Sequence, residues 1–432
     1  MGFTALTAAT GVKLQAKQKP NFVLIMADDL GYGDISCYGN ERINTPHIDA
    51  MAKKGLKFTD YHANAPVCTP TRAALLTGRY QQRCGMEGVI YVRGDTRLKG
   101  MPLDALTFAE VLQKEGYQTG IFGKWHLGYR KKYNPIHQGF DQFHGYVSGN
   151  IDYISHYDNA GIFDWWHNDL KIQEKGYSTD LFTDYAVNFI ENHKDEPFCV
   201  YVPHEAPHWP YQGRDDKADR FPNTQFDSRG SRPDRAAAYK EMVEAMDDGV
   251  GRIVSKLQEL GLEENTLVVF CSDNGGVPKL GDNGGLRGDK ASLWEGGHRV
   301  PAVAYWPGTI EPGVTDQLAL SMDWFPTMVS LAGADIPRRH KLDGVDLTPV
   351  LLKQVNLPQR TVFWRYRKHK VARQGPWKLL VENDKKTYLF NLKKDRNETN
   401  NLADAKAEKV DELKALLANW EKEMDEVKQI TT

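Results

Sequence analysis

The sequence predicts an α/β domain followed by a smaller antiparallel unit, and three observations carry that reading. Short, unbroken apolar runs at 21–27, 198–202 and 266–271 lack the alternation of half-solvated strands, so each reads as a strand buried on both faces. Amphipathic stretches closed by glycine lie between them, at 46–55, 103–116 and 236–261, and read as covering helices. Beyond about residue 310 the texture changes to short strands with tight turns and a charged C-terminal amphipathic stretch. We divide the 432 residues into 1–19, a leader remnant or a disordered tail, 20–315, the main domain, and 316–432, the smaller unit.

Composition narrows the classes. Lys and Arg total 55 against 57 Asp and Glu, a formal charge of −2, so global charge argues for neither nucleic acid nor a membrane surface, and any anion recognition is local. Five cysteines (37, 68, 84, 199 and 271) lack the density of a disulfide scaffold and the spacing of a zinc site. No run of about 18 apolar residues exists to span a bilayer. Residues Gly2 to Ala9 are small and weakly apolar, which suits the remnant of a secretory leader or a disordered start.

The elements follow in order. Asn21 to Ala27 runs into Asp28 and Asp29 at a strand's carboxyl end, where open α/β sheets bind ligands. Adjacent carboxylates there suit a hard cation such as Ca²⁺ or Mg²⁺, or form an Asx turn toward Gly31. Thr45 and Pro46 open a helix. Thr69, Pro70 and the run Ala73 to Leu76 place Cys68 at another helix start, where amides and Arg72 favour an anion, unless Cys68 is simply a buried thiol. Leu103 to Glu115 reads as a helix and Gln118 to Phe122 as a strand, followed by a glycine-flanked loop whose Lys124 and His126, two apart, face one way if extended.

Residues 140–180, with Tyr153, Trp165 and Trp166, read as an elaborated loop region that either stacks on sugars or forms a small core of its own. After strand 198–202, a proline-pinned loop carries His204 and His208, acid/base candidates. After strand 266–271 come Asp273 and Asn274, a second pair of oxygen donors. A glycine-rich loop at 284–301 carries Lys290. In the C-terminal meander, Arg365, Arg367, Lys368 and Lys370 make a basic hairpin, either a solvated tip or an anion contact.

Cys68-Thr69-Pro70-Thr71-Arg72, with Ala73-Ala74-Leu75-Leu76-Thr77-Gly78-Arg79, resembles the signature of the type I, formylglycine-dependent sulfatases, with Thr71 where a Ser is usual. The stretches 23–29, 123–128, 206–208 and 272–275 resemble further motifs of that family, in its order. The resemblance implies an alkaline-phosphatase-like mixed sheet flanked by helices, with a small C-terminal antiparallel sheet plus helix. It also implies sulfate monoester hydrolysis, and the aromatic region with the basic hairpin points to a sulfated sugar of a polysaccharide or glycosaminoglycan as the substrate. It carries Asp28, Asp29, Cys68, Asp273 and Asn274 over as ligands of one Ca²⁺, and Cys68, Arg72, Lys124, His126, His208 and Lys290 as the catalytic set. Cys68 is then the precursor of formylglycine (3-oxoalanine), made by a formylglycine-generating or anaerobic sulfatase-maturating enzyme. Asp273 would take a proton from the nucleophile, His208 with Lys290 would protonate the leaving alcohol, and His126 would deprotonate the second hydroxyl. The family's serine contact has no motif here to place it, and Ser148 is left outside the site. A periplasmic or secreted location is expected.

Substrate choice falls to Trp165, Trp166 and Arg365 in this reading. Two rivals stay open: a phosphoester or phosphonate monoester hydrolase of the same superfamily, and a non-catalytic glycan-binding protein.

Overall fold

In a computed structural model of the chain, residues 19–222 and 229–430 are described. The reading of residues 1–18 as a leader or tail lies outside them. The strands are β1 (Asn21–Ala27), β2 (Leu56–Phe58), β3 (Tyr61–His62), β4 (Gln118–Lys124), β5 (Gln142–Tyr146), β6 (Trp166–His167), β7 (Leu170–Lys171), β8 (Phe198–Pro203), β9 (Thr266–Ser272), β10 (Ala302–Tyr305), β11 (Gly313–Thr315), β12 (Ala319–Leu320), β13 (Thr361–Tyr366), β14 (His369–Gln374), β15 (Trp377–Glu382) and β16 (Lys386–Asn391). The helices are α1 (Pro46–Lys54), α2 (Cys68–Thr77), α3 (Phe108–Lys114), α4 (Ser178–Asn192), α5 (Arg235–Glu259), α6 (Glu295–His298), α7 (Trp324–Leu331), α8 (Thr348–Lys353) and α9 (Ala407–Ile430).

A mixed sheet runs in the order β11-β2-β10-β9-β1-β8-β4-β5-β6-β7, with β9, β1, β8, β4 and β5 parallel at its centre. Strand β1 shows why its apolar run does not alternate. Phe22, Leu24 and Met26 enter a core with α2, α3 and α7, while Val23 and Ile25 enter a second core with α1, α4 and α5. Registration then does the functional work. Ala27 lies opposite Ser272, so Asp28 and Asp273 emerge side by side; Met26 lies opposite Pro203, and Ile121 opposite Tyr201, so β8 and β4 end at the same edge.

Strands β13 to β16 form a four-stranded antiparallel sheet, packed with α9 around Trp364, Leu379, Leu389 and Leu413. Val67, Ala74 and Tyr80, from α2 and its flanks, enter this third core, which joins the small unit to the helix that opens at Cys68. A division at 315/316 cuts a continuous core, because Trp324, Phe325, Val350 and Leu351 pack with the main sheet.

Several boundaries differ from the sequence reading. Helix α3 starts at Phe108, not Leu103, because Thr107 and Glu110 form a capping box. Thr45 does not cap α1 with its side chain; its hydroxyl accepts from Ser36 N, and Asp247 of α5 accepts from the amides of His47 and Ile48 instead. Thr69 likewise gives no cap to α2, since its hydroxyl donates to the carbonyl of His126, which ties the start of α2 to the end of β4. The 140–180 region is partly sheet, through β5, β6 and β7.

Candidate active site

Four chain segments meet at the carboxyl edge of β1, β9, β4 and β8. Asp28 and Asp29 leave β1, Asp273 and Asn274 leave β9, Lys124 ends β4 just before His126, and His208 sits in the loop after β8. Cys68 opens α2, whose residues are all buried. Asp29 (φ 67°) and His126 (φ 56°) both hold left-handed backbone, a conformation costing about 1–3 kcal/mol in non-glycine residues, as sharp exits from strands into ligand-facing turns require. Because of it, Lys124 and His126 do not follow simple two-residue alternation.

The contacts are dense. Arg72 Nη2 donates to Asp273 Oδ2 at 2.8 Å and lies 3.4 Å from Asp28 Oδ2, while Nη1 donates to the carbonyl of Lys124 at 3.2 Å. Arg72 thus sits beneath the carboxylates and fixes them; it is not among the residues lining the cavity. Lys124 Nζ makes a short hydrogen bond to Asp28 Oδ2. Lys290 Nζ grips Asp29, 2.5 Å from Oδ1 and 2.6 Å from Oδ2, and Asn274 Nδ2 donates to Asp29 Oδ1 at 2.8 Å. His208 Nε2 lies 3.7 Å from Asp29 Oδ2.

Two oxygens bear on a cation. Asp28 Oδ1 and Asn274 Oδ1 are buried without any hydrogen-bond partner, although buried acceptors are nearly always satisfied. Ligand atoms of Asp28, Cys68 and Asp273 lie within 4.8 Å of one another, as do those of Asp28, Asp29 and His208. The oxygens of Asp28, Asp29, Asp273 and Asn274, two of them spare acceptors, fit a hard cation such as Ca²⁺.

Electrostatics follow the same geometry. Burial opposes the charge on Asp28, yet Lys124, His208, Arg72 and Lys290 hold its carboxyl well below the usual range. Burial, with the repulsion of Asp28, pushes Asp273 and Asp29 up. Burial also raises the Cys68 thiol and depresses both histidines. Tautomers can be read from partners: His126 Nε2 donates to the carbonyl of Ile90 at 2.9 Å, which leaves Nδ1 as a free buried base. His208 Nδ1 donates to the carbonyl of Trp209 at 2.7 Å, which leaves Nε2 facing the carboxylates.

A cavity of about 340 Å³ opens over Cys68, His126, His208 and Lys290. The aromatic expectation fails there. Trp165 is fully buried, stacked between His156 and Phe182 with its indole N–H donated to Glu174, so neither face is available to a sugar. Trp166 is half-buried in β6 and bonds Asp164, away from the cavity lining. Arg365 is bound to Glu87, Glu421 and Asp425. The cavity wall instead takes Tyr91, Tyr129, Ser148, Trp209 and Arg367. Trp209, beside His208 in a pinned loop, and Arg367, two residues from Arg365, carried signals in the sequence; Tyr91 and Tyr129 did not.

The family model described as Sulfatase matches residues 20–334, and one described as N-sulphoglucosamine sulphohydrolase, C-terminal, matches 286–429. Human arylsulfatase A is 36% identical over 392 residues, covering 83% of this chain and 73% of that protein. N-acetylgalactosamine-6-sulfatase of Rattus norvegicus is 36% identical over 374 residues, covering 81% and 68%. The crystal structure of Ps i-CgsB in complex with k-i-k-neocarrahexaose superposes with a TM-score of 0.84 at 34% identity, covering 93% of each chain.

Proposed function

This chain belongs to the sulfatase family and is a sulfuric ester hydrolase; from the residues around its cavity we propose that it removes sulfate from a sulfated carbohydrate with a formylglycine at position 68 and one Ca²⁺. A relative solved with a neocarrahexaose supports the carbohydrate class. The observation that carries the cofactor reading is the pair of orphaned buried oxygens, Asp28 Oδ1 and Asn274 Oδ1, set among Asp29, Asp273 and Cys68. When bound, the ion supplies charge that acidifies the nucleophilic oxygen, and formylglycine supplies a hydroxyl that can later expel sulfate.

The chain's own groups do the rest. Lys124 and Lys290 are placed to shift from Asp28 and Asp29 onto sulfuryl oxygens as negative charge grows there. Arg72 holds Asp28 and Asp273 in position from below. Asp273 takes the nucleophile's proton. His126 accepts a proton at Nδ1, because Nε2 is committed to Ile90. Lys290 supplies the proton for the leaving alcohol by way of His208 Nε2, which is bare in the neutral ring because Nδ1 holds its proton on the Trp209 carbonyl. Burial of the whole of α2 supports a maturating enzyme that meets Cys68 before folding finishes, and the proposed location is periplasmic or secreted.

The test is protein made with a formylglycine-generating enzyme, with peptide mass spectrometry at residue 68 and turnover of matched sulfate, phosphate and phosphonate esters. The expected result is conversion of Cys68 and kcat/KM highest for the sulfates. Equal activity from protein with intact Cys68, or preference for a phosphonate, overturns the reading.

A further inference from the structure

The hairpin turn between β13 and β14 separates two depressions that share a wall. The cavity above Cys68 and a groove of about 740 Å³ beside it are both lined by Val89, Tyr91, Tyr366 and Arg367. The groove continues along Lys368 toward Lys370 and α9. A ligand anchored at Cys68 and longer than one sugar therefore has a path out over the turn.

Charges along this path fall into two sets. Arg365 is paired with Glu87, Glu421 and Asp425, and Lys370 with Asp384 and Glu421, so their charge is spent within the protein. Arg367 and Lys368, at the crest, form no ion pair among the described residues. Arg367 instead lies over the ring of Tyr366, 5.2 Å from its centroid, and occupies left-handed backbone (φ 55°), where glycine or asparagine is the less costly choice. Tyr91, 54% exposed, stands on the same shared wall. An exposed tyrosine beside free cations suits a sugar ring bearing an acidic group: the ring packs on the aromatic face and the anion meets the guanidinium.

We propose that this crest is a second subsite, which binds a further sulfate on a sugar next to the one that loses sulfate at position 68, so that the preferred substrate is a multiply sulfated oligosaccharide. Arg367 is the specificity-determining residue and Lys368 supports it. The proposal rests on the sulfate-ester reading above, and the experiment separates the two. Binding of sulfated hexasaccharides (ι-carrageenan, chondroitin sulfate and heparin) is measured by calorimetry on unreactive Cys68→Ala protein, with and without Arg367→Ala/Lys368→Ala, at several salt concentrations. Turnover of 4-nitrocatechol sulfate by mature enzyme is measured separately. The expected result is that at least one hexasaccharide binds about tenfold more weakly to the crest variant, with a shallower salt dependence, while KM for 4-nitrocatechol sulfate shifts by a much smaller factor. Unchanged hexasaccharide affinity, failure of all three to bind the intact crest, or equal loss on the hexasaccharide and the aryl sulfate overturns the subsite. Mature enzyme that cleaves no sulfate ester overturns the parent reading instead.

Discussion

Two buried ionic clusters, one drawing on α2 and the other on β3, invite opposite conclusions from similar residues. Around Cys68, Asp28, Asp29 and Asp273 face Arg72, Lys124 and Lys290. Where the small unit meets the main sheet, Asp60, Glu295 and Glu398 face Arg299, Arg373 and Lys378, with His62 and His298 between them. Charges balance in both. The ligand-type atoms of His62, Glu295 and His298 even lie within 4.8 Å of one another, as a metal site's would. There, however, Lys378 Nζ sits 2.9 Å from Glu295 Oε1 and 3.2 Å from His298 Nε2, so the cation is the protein's own.

The rings are held by the junction's own charges. His62 Nε2–H donates to Asp60 Oδ1 at 2.9 Å, His298 Nδ1–H donates to His62 Nδ1 at 3.0 Å, and Lys378 donates to His298 Nε2 at 3.2 Å. The active-site cluster keeps Asp28 Oδ1, Asn274 Oδ1 and His126 Nδ1 without partners, whereas at the junction Glu398 Oε1 lacks a hydrogen bond but has Lys378 Nζ 2.8 Å away. Charge balance therefore does not tell a site from a staple. Several orphaned atoms grouped in one place do.

The largest effect that would break this contrast concerns the nucleophile and the ligand set. Cys68→Ser and Asp273→Ala should each lower kcat on sulfate esters by at least about 10³-fold. In wild type, Ca²⁺ at 100 times its Kd should add about 2.7 kcal/mol of stability and raise Tm, and chelation should reverse it. Asp273→Ala should abolish that rise. A Ca²⁺-dependent Tm that survives in Asp273→Ala would place the ion elsewhere.

The junction should respond in the other currency. Lys378→Met leaves Glu295 and Glu398 facing each other in a dry interior, and Asp60→Ala strands Arg373; each should cost about 3–5 kcal/mol. Tm measures the loss, and the Ca²⁺-induced rise in Tm should persist in both variants. Loss of the calcium response in Lys378→Met would mean the clusters are coupled.

The sequence made the first cluster legible and hid the second, for a physical reason. Strand ends carrying Asp28-Asp29 and Asp273-Asn274 announce themselves because polar pairs interrupt apolar runs, and parallel register brings them together. Lys378 and Arg373 sit inside β15 and β14 among apolar neighbours, and apart from Glu398 their carboxylate partners arrive from Asp60 and α6, more than 80 residues away; no local pattern marks such a pair. Trp165 failed as a sugar platform on similar grounds, since its composition-level signal, aromatics among polar groups, is shared by a core stack. Arg365 and Arg367 read alike in the hairpin, and only the carboxylates of Glu87 and α9 separate them.

A pH scan sharpens the junction further. Burial keeps His62 and His298 below their usual pKa, and Asp60 and Glu295 are held well below the carboxylate range by arginines and Lys378 despite burial. At these four groups the unfolded chain therefore binds more protons than the folded one as pH falls, first at the histidines and then at the acids. Their contribution to stability is fully present above about pH 6.5, erodes below it and falls faster below about pH 4, while Glu398, pushed up by burial, acts in the opposite sense. His298→Gln should remove up to about 2 kcal/mol of the loss between pH 6.5 and 5. A Tm profile for His298→Gln parallel to wild type would mean that its ring does not stay neutral in the fold.

The smallest effect is the most discriminating. If the junction is a staple whose only requirement is charge balance, removing one cation and one anion together should cost far less than removing either. Glu398 is suited to this, because Oε2 accepts from the backbone N–H of Glu295 at 2.7 Å and glutamine can keep that bond, while Oε1 serves only Lys378 at 2.8 Å. In Lys378→Met/Glu398→Gln the remaining Asp60 and Glu295 still face Arg299 and Arg373, and methionine fills the lysine's space. We expect the pair to cost about 1 kcal/mol, well under the about 3–5 kcal/mol for Lys378→Met alone, with the difference appearing as coupling in a double-mutant cycle. Strictly additive losses would show that Lys378 acts through its bonds to Glu295 and His298 rather than through charge balance, and the junction would then resemble the active site more closely than its filled valences suggest.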